Sequence, residues 1–465
     1  MIKDLNKEID HLMKNAQLKK DQGNLKDASF LLEQIIKIDK ENKRALNNLG
    51  NIYKELGKYD EAIKYYSKSI SIDQSYEIPK SNLAVLYHEL GNLKEAEILY
   101  KQIFKSNKTN FSVLFNLSTI NFDYINDDII NLIKATLDKN ILNNYNSASG
   151  YFVLAKYKNK KKLFHKEIEY LHKGHNFFCK STNQNVFNQS LVYWLNIIPK
   201  KFNNIEFLNS PLVKDENKKI NPIFIIGMPR SGSTLIESII SSGKKIIPNG
   251  GETAAINWAF LKSIRENYSI KDIEKKKIVL DVEKIYDYVL NKYKELNLLK
   301  KEKNYFFIDK SLENFFYVDL ILQLFPNAKF IHCERNYLDN IFAIYQNFLT
   351  KMTWTHSLSN ILAYMDNYLK VMKYFKKKHK DKIYSINIEE LTKNDVLFSK
   401  EIYNFCNLEW SEESLEFYKR KDLLSKTASN VQIREKIFKY DNSKYKVYQK
   451  YILEFENKYS WLKIK

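Results

Sequence analysis

The chain has 465 residues, 44% hydrophobic and 28% charged, which excludes a disordered protein and leaves room for about two to four domains. With 75 Lys+Arg against 55 Asp+Glu the net charge is +20, a balance that suits anionic partners, although the lysines are spread along helix faces in a composition typical of AT-rich coding. Three cysteines (Cys179, Cys333, Cys406) supply neither a disulfide framework nor a metal spacing and point to a reducing compartment. The start is charged and helical, and no run nears the roughly 18 apolar residues of a membrane span, so a cytoplasmic protein without a span is expected.

The first third repeats. Gly23, Gly57 and Gly91 are spaced by 34, as are Ala28, Ala62 and Ala96, and Leu25, Tyr59 and Leu93. Each unit reads helix, Gly-containing turn, helix, with the small alanine letting two helices approach closely. Three such units cover residues ~10–105. From 111 to 207 the period fades while the helical pattern continues, and residues 151–177 read as one more hairpin. His165, His172, Glu169 and His175 fall there at helical spacing. They match no metal motif and are read as surface or packing residues.

Five of the seven prolines and five of the eleven glycines crowd into residues 199–251, marking a domain boundary near 200–220. There follows NPIFIIGMPRSGSTLIESII. It reads as a buried strand (223–226), a turn from Gly227 to Gly232, and a helix (235–242). Such a turn collects backbone N–H groups and a helix dipole on one phosphate or sulfate. The nucleotide-hydrolase version continues Gly-Lys-Ser/Thr. Here Ser233 stands in place of the lysine and Arg230 sits inside the turn. FFID, ending at Asp309, mimics a Mg²⁺-binding strand end and is read as strand-end punctuation.

This segment resembles the 5′-phosphosulfate loop of sulfotransferases that use 3′-phosphoadenosine-5′-phosphosulfate (PAPS). The nearest branch is the tyrosylprotein-sulfotransferase-like group, and the repeats resemble the tetratricopeptide repeat. Further shared blocks are GGET (250–253), DKSLENFFYVDLILQLFPNAKFIHCERNYLDNIFAIY (309–345) and TASNVQIREKIFKYDNSKYKVYQKY (427–451). The resemblance implies Glu252 as the base and Lys310 with Arg230 on the bridging oxygen. It implies Arg230, Ser231, Gly232, Ser233 and Thr234 as the phosphosulfate cradle, and Arg335 on the 3′-phosphate. Ser429, Arg434 and Lys444 would contact the cofactor from a lid-like segment. Three positions depart from the pattern: Ala343 for a serine, Asn347 for a basic residue, and Ile388 for an aromatic.

The sequence therefore leads to an α+α/β architecture. An all-α tetratricopeptide-repeat solenoid (1–207) precedes a parallel-sheet, P-loop-like sulfotransferase domain (220–465). Residues 256–299 and 358–378 are expected as helices around the sheet, with Trp258, Tyr364, Tyr368 and Tyr374 in its core. His332 and Cys333 are expected as packing residues. The expected reaction is sulfuryl transfer from PAPS to a hydroxyl of a protein tyrosine, glycan or small molecule, with no metal and no nucleic acid. A peptide acceptor fits the repeat groove, and the oligomeric state, a homo-oligomer included, stays open. The competing readings are an ATP-dependent kinase and a catalytically lapsed scaffold.

Overall fold

The computed structural model describes residues 2–208, 219–268, 272–273, 276–299, 305–420, 422–423, 430–441 and 444–463. They pack as two units, Met1–Asn140 and Ile141–Lys465. The first unit runs α1 (Ile2–Asp21), α2 (Leu25–Ile38), α3 (Lys43–Glu55), α4 (Tyr59–Ile72), α5 (Glu77–Leu90), α6 (Leu93–Ser106), α7 (Phe111–Ile120) and α8 (Asp127–Asp138). The ladder glycines Gly23, Gly57 and Gly91 turn between paired helices at φ 79°, 73° and 83°, where a side chain is strained. The ladder alanines Ala28, Ala62 and Ala96 are fully buried, as close helix packing demands. The 34-residue period thus becomes a helical-repeat solenoid.

The second unit starts with α9 (Asn144–Lys160), α10 (Phe164–Ser181), α11 (Gln184–Val192), a π-helical turn (Tyr193–Ile197) and α12 (Ile198–Lys201). Sequence punctuation drew the boundary at 207–220, whereas the packing divides between Asn140 and Ile141. The reason is aromatic: Phe152 stacks on Phe348 at 4.5 Å and Phe178 lies 4.2 Å from His356, ring to ring. His175 is buried between two partners, its Nε2 2.8 Å from the Tyr345 carbonyl and its Nδ1 2.9 Å from His356 Nδ1. His172 Nδ1 meets Tyr345 Oη at 2.7 Å, and Glu169 is taken by Lys166 and Lys173. These histidines are packing residues, and no group of three or more metal-ligating side chains forms among the described residues.

Beyond α12 come β1 (Ile205–Leu208), β2 (Ile220–Gly227), α13 (Ser233–Ser241), α14 (Ala255–Asn267), β3 (Ile278–Asp281), α15 (Val282–Glu295), β4 (Tyr305–Asp309), α16 (Val318–Leu324), β5 (Lys329–Glu334), α17 (Tyr337–Tyr345), α18 (Leu358–Lys378), β6 (Ile383–Asn387), α19 (Ile388–Leu391) and α20 (Asp395–Phe405). A parallel sheet of order β4-β2-β5-β6 forms the centre, and β1 pairs with β3 apart from it. The stretch 256–299, read as wholly helical, therefore contains a strand. Ile223, Ile225, Ile308, Ile331 and Ile386 of the sheet pack against Ile236, Ile239 and Ile240 of α13. The continuous apolar runs fit strands covered on both faces. Tyr364 and Tyr368 are buried, but Trp258 is 55% exposed and no part of that core. His332 bonds Tyr368 Oη (2.5 Å) and Ser385 Oγ (3.0 Å), and Cys333 is buried, so both are packing residues. No helix among the described residues is long and apolar enough to cross a membrane.

Candidate functional site

Register decides which side chains meet. Phe224 of β2 pairs with Asp309 of β4, and Gly227 with Cys333 of β5. The segments after β2, β4 and β5 therefore leave from one edge of the sheet, the carboxyl edge where open α/β sheets bind ligands. Gly227 has φ 143°, and an added Cβ would stand 2.7 Å from the Cys333 carbonyl, so β2 and β5 can approach there only because the residue is glycine. Gly232 enters α13 at φ 89° beneath the Ile388 side chain, whose Cδ1 would lie 2.3 Å from a Cβ. Ile388 is thus used to roof the turn.

The turn's carbonyls are drawn away to side chains. Ser231 Oγ donates to Met228 O (2.7 Å), Asn340 Nδ2 to Pro229 O (2.7 Å), and Arg335 Nη1 to Arg230 O (2.6 Å). Among the described residues no hydrogen bond reaches the amides of Ser231, Gly232 or Ser233. Capped carbonyls and available N–H groups at a helix N-terminus are the composition of an anion cradle. Arg230 adopts a left-handed φ of 65°, and burial holds its guanidinium down at about 10, so it stays charged at neutral pH.

Arg335 follows β5. Besides holding Arg230 O, its Nη2 donates to Tyr440 Oη, and its guanidinium lies 4.5 Å from the Tyr440 ring and 5.7 Å from that of Tyr445. Its Nε is buried without a partner among the described residues. Lys444 is exposed, 5.2 Å over the Tyr445 ring. Arg434 is directed elsewhere, donating to the carbonyls of Arg420 (3.2 Å) and Leu423. Ser429 lies outside the described residues. Asn347 donates to Ala343 O at 2.7 Å and so is spent on its own helix end.

The second half of the site surrounds Lys310, whose side chain is 2% exposed. Its Nζ sits 3.4 Å from Glu252 Oε1 and 3.5 Å from Glu237 Oε2. Burial opposes its charge, but the two carboxylates outweigh burial and raise its pKa. Burial pushes Glu237 up to about 7, against the pull of Lys310. Glu313, half-buried, is pushed to about 7 by burial and by the Glu252 and Asp309 carboxylates. Glu252 remains 38% exposed and is the member of this cluster open to an incoming group.

The loop carrying Glu252 is stitched to β4. Ile308 N donates to Pro248 O (2.9 Å), Gly250 N to Ile308 O (2.9 Å) and Lys310 N to Gly251 O (2.8 Å). Asp309 is buried and accepts from Thr253 Oγ1 (2.6 Å), Tyr293 Oη (2.7 Å) and Ser311 N (2.8 Å). A carboxylate saturated by three donors is a positioning group for the adjacent Glu252, consistent with strand-end punctuation rather than Mg²⁺ ligation. Sequence reasoning missed Glu237, Glu313, Asn340 and Tyr440. Glu237 did leave a signal, as the lone charge of the otherwise apolar and hydroxyl-bearing helix STLIESIIS.

Residues 222–412 match the family model described as the sulfotransferase family. Residues 44–76 and 80–109 match tetratricopeptide-repeat models. An uncharacterized protein of Aquifex aeolicus (strain VF5) is 29% identical over 355 residues, covering 70% of this chain and 43% of that protein. The chain thus spans less than half the length of that relative. Among solved structures, the sulfotransferase domain of the Synechococcus PCC 7002 olefin synthase is 19% identical (49% of this chain, 87% of that one, TM-score 0.35). The sulfotransferase domain from the curacin biosynthetic pathway is 16% identical (49% and 90%, TM-score 0.34).

Proposed function

We propose, from the premise that the chain carries a sulfotransferase-family domain behind tetratricopeptide repeats, that it transfers a sulfuryl group from PAPS to a hydroxyl. The residues fit that donor. The cradle amides of Ser231, Gly232 and Ser233, with Thr234, would hold the 5′-phosphosulfate, and Arg335, half-buried near two tyrosine rings with its Nε buried and unused among the described residues, would hold the 3′-phosphate. Lys444 and the segment of Ser429 would close over it, whereas Arg434 is spent on Arg420 and Leu423. When bound, PAPS supplies an activated sulfuryl group on a phosphate leaving group.

The chain's own residues do the rest. Glu252 takes the acceptor hydroxyl's proton at Oε1, the oxygen that faces Lys310. Lys310 and Arg230 bring fixed positive charge to the oxygens that gain negative charge. Glu237 keeps the buried Lys310 protonated, and Asp309, through Thr253, fixes the Glu252 loop. The observation that carries this reading is the Lys310–Glu252 contact of 3.4 Å at the sheet edge from which the anion cradle also leaves.

The acceptor is proposed as a class, a hydroxyl on a protein tyrosine, glycan or small molecule, with the repeats as docking surface for a peptide bearing it. The three unpaired cysteines fit a cytoplasmic setting. Glu252→Gln tests the reading: turnover of PAPS to adenosine 3′,5′-bisphosphate should fall by ~10²–10⁴-fold, with affinity for that bisphosphate within about twofold of wild type. Unchanged turnover would remove Glu252 as the base. Binding of ADP with Mg²⁺ in preference to the 3′,5′-bisphosphate would replace the reading by a kinase.

A further inference from the structure

We infer that the second unit carries a binding cavity for an uncharged phenol, separate from the cradle and from the Lys310 cluster. The cavity measures about 620 Å³ and is lined by His172 and Cys179 of α10, Tyr345 at the end of α17, His356, Leu358, and Tyr451 of the C-terminal segment. Its volume suits a small organic molecule. No residue of the cradle or of the Lys310 cluster lines it, so this site does not depend on the donor reading.

The polar atoms of the lining decide which chemistry fits. His172 Nδ1 and Tyr345 Oη satisfy each other at 2.7 Å, as do Ser357 Oγ and Ser359 Oγ at 2.7 Å. His356 Nε2 and Tyr451 Oη do not. Both atoms are buried, and neither has a hydrogen-bond partner among the described residues. A buried polar atom left open is costly, so two on one cavity call for a ligand that serves them.

The proton on His356 is placed by its neighbours. The Tyr345 carbonyl only accepts, so His175 Nε2, 2.8 Å away, carries the proton of that ring. His175 Nδ1 is then a bare acceptor, and His356 Nδ1, 2.9 Å from it, is the donor. The Leu349 carbonyl also accepts from the His356 ring, and with Nε2 unpartnered it does so at Nδ1. Burial keeps both rings neutral, holding His356 down at about 4. His356 Nε2 therefore presents a lone pair and needs a proton from a ligand.

A hydroxyl can serve both open atoms, donating to His356 Nε2 and accepting from Tyr451 Oη. An anion has no proton for Nε2, and an ammonium would leave the Tyr451 proton without an acceptor. The rings of His172, Tyr345, Tyr451 and Phe455 favour an aromatic body for that hydroxyl. The exposed groups of the lining, Lys450 and Glu454, are opposite in sign and select no ionic ligand.

The test reads Cys179, whose half-buried thiol belongs to the cavity wall, whereas Cys333 and Cys406 are buried. Alkylation of the full chain by iodoacetamide is followed by mass spectrometry with no nucleotide present. p-Cresol at ~1 mM should slow the Cys179 reaction at least about twofold, as a Kd no weaker than that concentration requires. 4-Methylanisole, which has lost the proton, and 4-methylbenzoate, an anion, should leave the rate unchanged at the same concentration. Tyr451→Phe keeps the ring without the hydroxyl and should weaken p-cresol about three- to tenfold, the worth of one neutral hydrogen bond. His356→Phe should do the same, and Tyr451→Phe decides the matter if that variant does not fold. Equal protection by p-cresol and 4-methylanisole, unaltered protection in Tyr451→Phe, or no protection by p-cresol would each overturn the inference and leave the donor reading standing.

Discussion

Glu237→Gln is the substitution whose consequence follows most directly from the geometry. Glu237 is buried on α13 with Oε2 3.5 Å from Lys310 Nζ and Oε1 without a hydrogen bond among the described residues. Burial moves its carboxyl from 4.5 to about 7. A raised carboxyl favours the neutral form in the folded state, so its contribution is fully present below pH 4.5 and is lost as pH rises to about 7. Each pH unit of displacement is worth about 1.4 kcal/mol, so the fall amounts to about 3 kcal/mol for this one group. Glutamine has the same shape and no charge, and should abolish that fall while leaving in place the one due to Glu313, whose carboxyl is also raised to about 7. Lys310 does not interfere, because its raised pKa moves stability only above pH 10.5. The assay is urea unfolding of wild type and variant at pH 5, 6, 7 and 8, read on the transition that shifts with adenosine 3′,5′-bisphosphate. That transition belongs to the unit holding the site. The difference between the two proteins should move in favour of the variant by up to about 3 kcal/mol across the series. A constant difference from pH 5 to pH 8 would refute titration of Glu237 in the folded protein.

Two further substitutions separate the halves of the site. Arg335→Met should weaken adenosine 3′,5′-bisphosphate by roughly 10–100-fold, the ~1.5–3 kcal/mol of a hydrogen bond to a charged group, with ADP affinity changed by less than about threefold in calorimetric titration. An equal loss for both ligands would remove Arg335 from the 3′-phosphate. Asp309→Asn replaces an acceptor of three donors by an amide that accepts at one atom only. It should destabilise the second unit by ~1–3 kcal/mol and lower turnover while leaving bisphosphate affinity intact. Full turnover in a destabilised variant would show that the Glu252 loop keeps its place without Asp309.

What the sequence disclosed was local, and what it hid was tertiary. The solenoid is legible because a 34-residue period needs glycine at each turn and alanine at each helix contact, and Gly57 and Ala62 fill those places within one repeat. The cradle is legible because strand, glycine turn and helix follow each other within about twenty residues. Long-range packing was not legible at residues 144–201, where nothing in the helical pattern says that Phe152 and Phe178 will pack on Phe348 and His356, some 180 to 200 residues later. Arg434 sits in a cofactor-like motif, yet the carbonyls it bonds, Arg420 and Leu423, are visible only in the fold. Glu313 was hidden among ordinary surface acids. Its carboxyl is raised first by burial and then by the Glu252 and Asp309 carboxylates, neighbours that only the fold brings beside it.

The arginine of the turn also acquires a physical reason. In this part of the molecule burial takes Lys156 from 10.5 to about 7 and Arg230 from 12.5 to about 10. A lysine inside the turn, desolvated as Arg230 is, would start lower and keep a far smaller margin of charge above neutral pH. A guanidinium starts high enough to survive the same burial, and its planar fork suits a tetrahedral oxyanion. Lys310 solves the same problem differently. More deeply buried than either, it is kept charged by two carboxylates, and the arrangement confines one of them, Glu237, while leaving the other, Glu252, exposed enough to receive a proton. The turn therefore carries a permanent charge where an anion would bind, and the β4 end carries a charge maintained by the same acids available for proton transfer.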